Sequence, residues 1–127
     1  VYDNYPLMID QKNTFYLGEI PHVIKTELIK KARLYSCVQD WDTIFSLSAI
    51  ESLAYGTPII ARNRGCFKYV LKEGINGFYY DNTNFLDIWK KSAKLDRSKV
   101  WETAKEWSEK AMIESFYKAF EEILKNG

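Results

Sequence analysis

The 127 residues carry 18 Lys and Arg against 17 Asp and Glu, a formal net charge of +1, with 46% hydrophobic and 28% charged residues. That is the balance of a globular chain with one core, too short for two lobes. A near-neutral charge excludes a global field that recruits nucleic acid or anionic lipid, and no apolar run approaches the ~20 residues of a membrane span, so no transmembrane segment is expected.

The first ten residues, VYDNYPLMID, read as a strand end and loop cut from something longer, so an upstream part is expected. Residues 13–20, NTFYLGEI, are aromatic and aliphatic and run into Pro21, which predicts a strand followed by a loop. Over residues 23–32, Val23, Ile24, Leu28, Ile29 and Ala32 recur at helical spacing, with Lys25, Glu27, Lys30 and Lys31 facing out. Residues 34–39, LYSCVQ, form a second predicted strand whose near-continuous apolar character suits a sheet covered on both faces.

A polar loop at 40–43 leads into a predicted helix over 46–55, stopped by Gly56 in the place of a left-handed cap. PIIA, residues 58–61, is a third strand, and Pro58 is tolerated at its start. A brief helix over 66–74 and the turn Ile75-Asn76-Gly77 feed a fourth strand, GFYY. Residues 84–127 read as helical throughout. Val100, Ala104, Trp107, Ala111, Phe116, Phe120, Ile123 and Leu124 make one long apolar stripe there. Trp89, Trp101 and Trp107 are expected to pack in the core.

Strands alternating with helices imply parallel βαβ units with right-handed crossovers and an α/β fold. Ligands of such sheets bind beyond the carboxyl ends of the strands. Those ends carry Ile20, Pro21 and His22, residues 39–43, and residues 62–65 with Arg62 and Arg64, which are expected to be solvated. The predicted helix at Ser46 offers the amides of Ser46, Leu47 and Ser48 and a partial positive charge, an arrangement that fits a diphosphate. Simple capping by Thr43 or Ser46 explains the same residues. Glu51 sits among Ile50, Leu53 and Ala54, where a carboxylate requires a hydrogen-bond partner; the paired hydroxyls of a ribose would supply one, and a solvated glutamate is the alternative. Cys37 and Cys66 have neither metal nor redox spacing and read as reduced core thiols, which points to a cytoplasmic protein. His22 is the single histidine, so no histidine pair is available.

NTFYLGEIPHVIKTELIKKARLYSCVQ followed by TIFSLSAIESLAYGTPIIA resembles the second, Rossmann-like domain of retaining GT-B glycosyltransferases of the group 1 type. KYVLKEGINGFYYD is similar to that family's later Gly-x-Asn-Gly segment, and EWSEKAMIESFYKAFEEIL to its closing helices. The resemblance implies a Rossmann-like three-layer domain, residues 1–127, with 84–127 as its C-terminal helices. It would be the incomplete C-terminal part of an enzyme of carbohydrate biosynthesis, of hexosyltransferase type. The partners implied are a nucleotide-sugar donor on this domain and a glycan or lipid acceptor on an N-terminal domain that these residues lack. No metal or other cofactor is implied.

By the same resemblance, main-chain atoms near Gly18 and Ile20 would meet the base, the amides of Ser46, Leu47 and Ser48 the diphosphate, and Glu51 the ribose. Two positions depart from the family pattern. Thr43 stands where the first glutamate of a Glu-x7-Glu motif belongs, with Asp42 adjacent, and Ser46 replaces a glycine. No catalytic residue is assigned, and the isolated chain is expected to be inactive and to expose apolar surface that favours self-association. The departure at Thr43 favours an alternative, a catalytically degenerate glycosyltransferase-like domain acting as a binding or assembly module. A flavodoxin-like or response-regulator-like signalling domain shares the alternation but fits the GINGF turn and the long helical end less well.

Overall fold

The computed structural model describes residues 12–127; the expectation for VYDNYPLMID lies outside them. The elements are α1 (His22–Lys31), β1 (Tyr35–Cys37), α2 (Leu47–Ala54), β2 (Ile59–Ala61), α3 (Phe67–Val70), β3 (Gly77–Tyr79), α4 (Phe85–Ser92), α5 (Arg97–Ala104), a 3-10 turn (Lys105–Trp107) and α6 (Glu109–Asn126). β1, β2 and β3 lie side by side in that order, all parallel, with Cys37 opposite Ala61 and Ala61 opposite Tyr79. The α/β expectation holds.

β2 is buried along its whole length because both faces of the sheet are covered. Ile59 and Ala61 join Ala49 and Leu53 of α2, Phe67 and Val70 of α3 and Val100 of α5 in one apolar cluster. Ile60 points the other way by strand alternation and is equally buried. Two-sided cover was expected of residues 34–39; there Cys37 is buried but Ser36 is exposed, so full cover falls on the central strand β2 and not on the edge strand β1.

α2 forms where the sequence places it. Ser46 caps its amino end, its Oγ accepting from the Ala49 amide at 3.4 Å. Beyond its last turn Gly56 takes φ 72°, and its amide donates to the Leu53 carbonyl at 2.8 Å. A side chain at Gly56 would also collide with the Arg97 carbonyl, 2.8 Å from an added Cβ.

Four expectations need correction. Residues 13–20 form no strand: they are irregular, with Phe15, Tyr16 and Leu17 exposed. The sheet edge at β1 gains no partner from them among the described residues. α1 buries Ile29 but leaves Val23, Ile24 and Leu28 exposed, because polar bonds rather than an apolar face hold it. The long stripe after residue 100 divides. Val100 is in the core and Ala104 and Trp107 pack against it, while Phe116, Phe120, Ile123 and Leu124 are exposed on α6, which buries no residue. Trp89 and Trp101 are likewise partly exposed, lying beneath Arg33 and Lys105 respectively.

Candidate functional site

The loops after β1, β2 and β3 converge at the carboxyl ends of the strands, and two arginines tie them together. Arg62 Nη2 donates to Asn82 Oδ1 at 2.6 Å, and its guanidinium lies over the Tyr80 ring, 5.3 Å from the centroid. Its Nε is 2.8 Å from Asp40 Oδ1, an ion pair that lacks hydrogen-bond alignment. Arg64 Nε donates to Asp42 Oδ1 at 3.0 Å, while its Nη1 donates to the Asp40 carbonyl. The Arg64 guanidinium holds the Asp42 carboxyl below its ordinary range.

Arg62 and Arg64 are therefore paired rather than simply solvated, which corrects the sequence expectation. A signal for the pairing was present: Asp40 and Asp42, and Arg62 and Arg64, share a two-residue spacing in loops that follow adjacent parallel strands. Asn82 (φ 79°) and Tyr80 had no such signal. Asp81 completes this rim, accepting from the amides of Thr83 and Asn84, which holds its carboxyl below the ordinary range.

Thr43 sits at the foot of the first loop. Its Oγ1 accepts from Gln39 Nε2 at 2.6 Å, and its carbonyl accepts from the Cys66 amide at 2.8 Å. Gly65, at φ 54°, packs directly against it; an added Cβ would stand 2.7 Å from both Thr43 N and Thr43 O. The Asp42 carboxylate beside it is turned toward Arg64.

At α2, the first-turn amides of Leu47 and Ser48 have no intrahelical acceptor, and the helix dipole adds roughly half a positive charge there. Ser46 has φ −122°, a conformation open to any residue, so serine costs nothing in backbone strain where the family pattern has glycine. Its Oγ lies 3.5 Å from Ser48 Oγ.

Glu51, one turn further on, is not enclosed by apolar neighbours. Leu53 is buried and Ile50 half-buried, but Ala54 is exposed. The carboxylate faces α1, where Lys25 Nζ donates to Oε2 at 2.9 Å. This partner, 26 residues away in the chain, was not anticipated. Gly18, at φ 60°, and Ile20 lie in the irregular segment that enters α1.

A cavity of about 530 Å³ opens between the loops, lined by residues that include Thr43, Phe45, Gly65, Lys68, Tyr69 and Trp107. Of the predicted donor residues only Thr43 lines it; Ser46, Leu47, Ser48 and Glu51 do not. Phe45 and Trp107, with ring centroids 5.7 Å apart, separate it from an apolar concavity of about 510 Å³ that runs along Met112 and Phe116 of α6. The described residues contain no cluster of His, Cys, Asp or Glu able to hold a metal. Nor do they contain a helix long and apolar enough to cross a membrane.

A parallel α/β sheet with polar loops gathered at its carboxyl edge is a Rossmann-like arrangement. Residues 10–114 match the family model for glycosyl transferases group 1, and the chain belongs to that family. Comparison with curated proteins returned no match.

Proposed function

We propose that this chain is the donor-binding part of a GT-B glycosyltransferase that transfers a sugar from a nucleotide-sugar to a glycan or lipid acceptor. The observation that carries this reading is the placement of α2. Its capped amino end follows the loop at the carboxyl edge of β1, and its one acidic side chain, Glu51, is ionically paired and partly open. In this reading the Leu47 and Ser48 amides bind the diphosphate with Ser46 at the turn. Glu51 accepts from the ribose hydroxyls, and Gly18 and Ile20 flank the base. Thr43 lies beside the donor sugar.

Transfer in the whole enzyme would rest on amides that stabilise the leaving diphosphate electrostatically, without a metal or other cofactor and with retention at the anomeric carbon. The acceptor would bind an N-terminal domain, and the isolated chain would be inactive, since half a cleft neither excludes water nor positions an acceptor. The free, buried thiols of Cys37 and Cys66 support a cytoplasmic setting. The exposed apolar face of α6 supports self-association of the isolated chain.

Calorimetric titration with UDP, GDP and ADP tests the reading. One nucleotide should bind, and Glu51→Ala should weaken it. Absence of binding by all three at millimolar concentration would count against it.

A second reading, a degenerate module that binds or assembles rather than transfers, is favoured by one observation. The position of the first motif glutamate is filled by Thr43, fastened by Gln39, while the nearby Asp40 and Asp42 are both committed to arginines. Thr43→Glu separates the two. Gained donor affinity points to a decayed transferase site, and no change points to a different ligand.

A further inference from the structure

We infer that Lys25 is a positioning residue of the nucleotide subsite: it fixes the Glu51 carboxylate for the donor ribose and offsets its charge beside the diphosphate. The inference deepens the donor-binding reading and rests on it.

The pair joins two helices through side chains that are 39% and 35% exposed, Lys25 and Glu51 respectively. Ion pairs this open add little to folding stability. Their geometric effect is larger. Lys25 Nζ engages Oε2, and among the described residues no protein donor engages Oε1. An ionised carboxylate has about four acceptor positions, so one lysine bond leaves room for both hydroxyls of a ribose. Lysine and diol are therefore compatible occupants of the same carboxylate, and the lysine holds the rotamer that presents Oε1.

Charge points the same way. An unpaired Glu51 would repel a diphosphate held at the amino end of its own helix, whereas a paired one presents no net charge. The ammonium is held firmly in its charged form. The Glu51 hydrogen bond raises the Lys25 pKa above its ordinary value, and the charge of Glu51 and the nearby Tyr35 and Tyr55 add to the effect. Glu51 on α2, Tyr35 on β1 and Tyr55 just past α2 all act in this direction, and desolvation opposes them in part.

The experiment is titration of the full chain and its Lys25→Met and Lys25→Arg variants. The probes are UDP, GDP or ADP, whichever binds, and the 2′-deoxy form of the same nucleotide. Circular dichroism confirms that each variant is folded. Lys25→Met should weaken the ribonucleotide by about tenfold, the equivalent of one hydroxyl–carboxylate hydrogen bond. The 2′-deoxy form, which keeps the diphosphate but lacks that hydroxyl, should lose only the smaller charge contribution, so the ribo-to-deoxy ratio falls, and Lys25→Arg should restore most of the loss.

A lysine that merely fastened α1 to α2 would shift both nucleotides together or neither, and an unchanged ribo-to-deoxy ratio overturns the proposal. Tighter binding by Lys25→Met also overturns it, since the lysine would then be a blocking group. If the unsubstituted chain binds no ribonucleotide, the donor-binding reading fails and this inference falls with it. Binding that is insensitive to Lys25 removes this inference alone.

Discussion

Arg97 and Thr57 share a hydrogen bond of 2.6 Å, from the guanidinium Nη2 to Oγ1, and the same threonine hydroxyl donates to the Ile29 carbonyl at 2.7 Å. Arg97 also donates to the carbonyls of Ala32 at 2.9 Å and Lys30 at 2.7 Å. One residue at the start of α5 therefore holds the end of α1 against the strand that follows α2. Since α1 contributes little apolar burial, this polar clasp should dominate its attachment. Arg97→Leu is expected to cost about 1–3 kcal/mol, because it removes these bonds together and leaves the buried Thr57 hydroxyl without its donor. Urea denaturation measures it, and a loss below the error of the method would rule out the clasp.

Asn76 is fully buried and its side chain makes three hydrogen bonds. Its Nδ2 donates to the Val70 carbonyl and to Thr103 Oγ1, both at 3.0 Å, and its Oδ1 accepts from the Lys72 amide at 2.7 Å. The turn before β3, the end of α3 and α5 meet at this one amide. Asn76→Ala should destabilise the chain by about 3 kcal/mol, more than Thr103→Val, which removes one bond of the set. Thermal melts of the two variants give the ranking directly.

These two residues mark what the sequence could and could not disclose. α2 was legible because its signals are local: a capping serine, an apolar period and a glycine stop. β1, β2 and β3 were legible as short apolar runs between turns. The strand expected at 13–20 had the right composition, but a strand exists only where a neighbour pairs with it, and composition carries no such information. The site divides in the same way. Ser46 and Glu51 stand out in the sequence as candidates by motif spacing. Lys25, the partner of Glu51, is set by where α1 lands, which is a tertiary outcome. Arg62 and Arg64 were visible as residues but not as the clamp that closes three loops.

Gly65 sets the width of the cavity beside Thr43. With φ 54° and no space for a Cβ against the Thr43 backbone, Gly65→Ala must push the 40–46 loop away from the loop after β2. In the donor-binding reading this should weaken the nucleotide at least ~10-fold, since small misplacement of a positioning loop is costly. Calorimetry on the folded variant checks it. Unchanged affinity would show that the loop does not position the donor.

Burial pushes the Cys37 thiol up to about 12 from its ordinary 9.0. The folded chain keeps a proton that the unfolded chain releases, so the associated stability is complete below about pH 9. It should then fall as pH rises toward 12. Cys37→Ala removes this dependence along with some packing, so its stability should be lower at neutral pH but decline less steeply across that window. Parallel slopes for the two proteins would contradict the assignment. The same burial should make Cys37 slow to alkylate at pH 8 until the chain unfolds.

α6 tests how far the packed unit extends. Ile113, Phe116, Phe120 and Ile123 recur at alternating three- and four-residue spacing, the pattern of a helix–helix seam, yet all four are exposed. Helix α6 buries no residue, so residues 115–127 add little to the core that α2, α3 and α5 build around β2. Ending the chain after residue 114 should therefore change folding stability by less than about 1 kcal/mol. The full chain should self-associate as its concentration rises, and both the shortened chain and Phe116→Glu should lose that tendency. Sedimentation velocity over a concentration series separates the outcomes. A full chain that stays monomeric would show that this face does not drive association. A shortened chain that unfolds would show that α6 supports the core through contacts its exposure conceals.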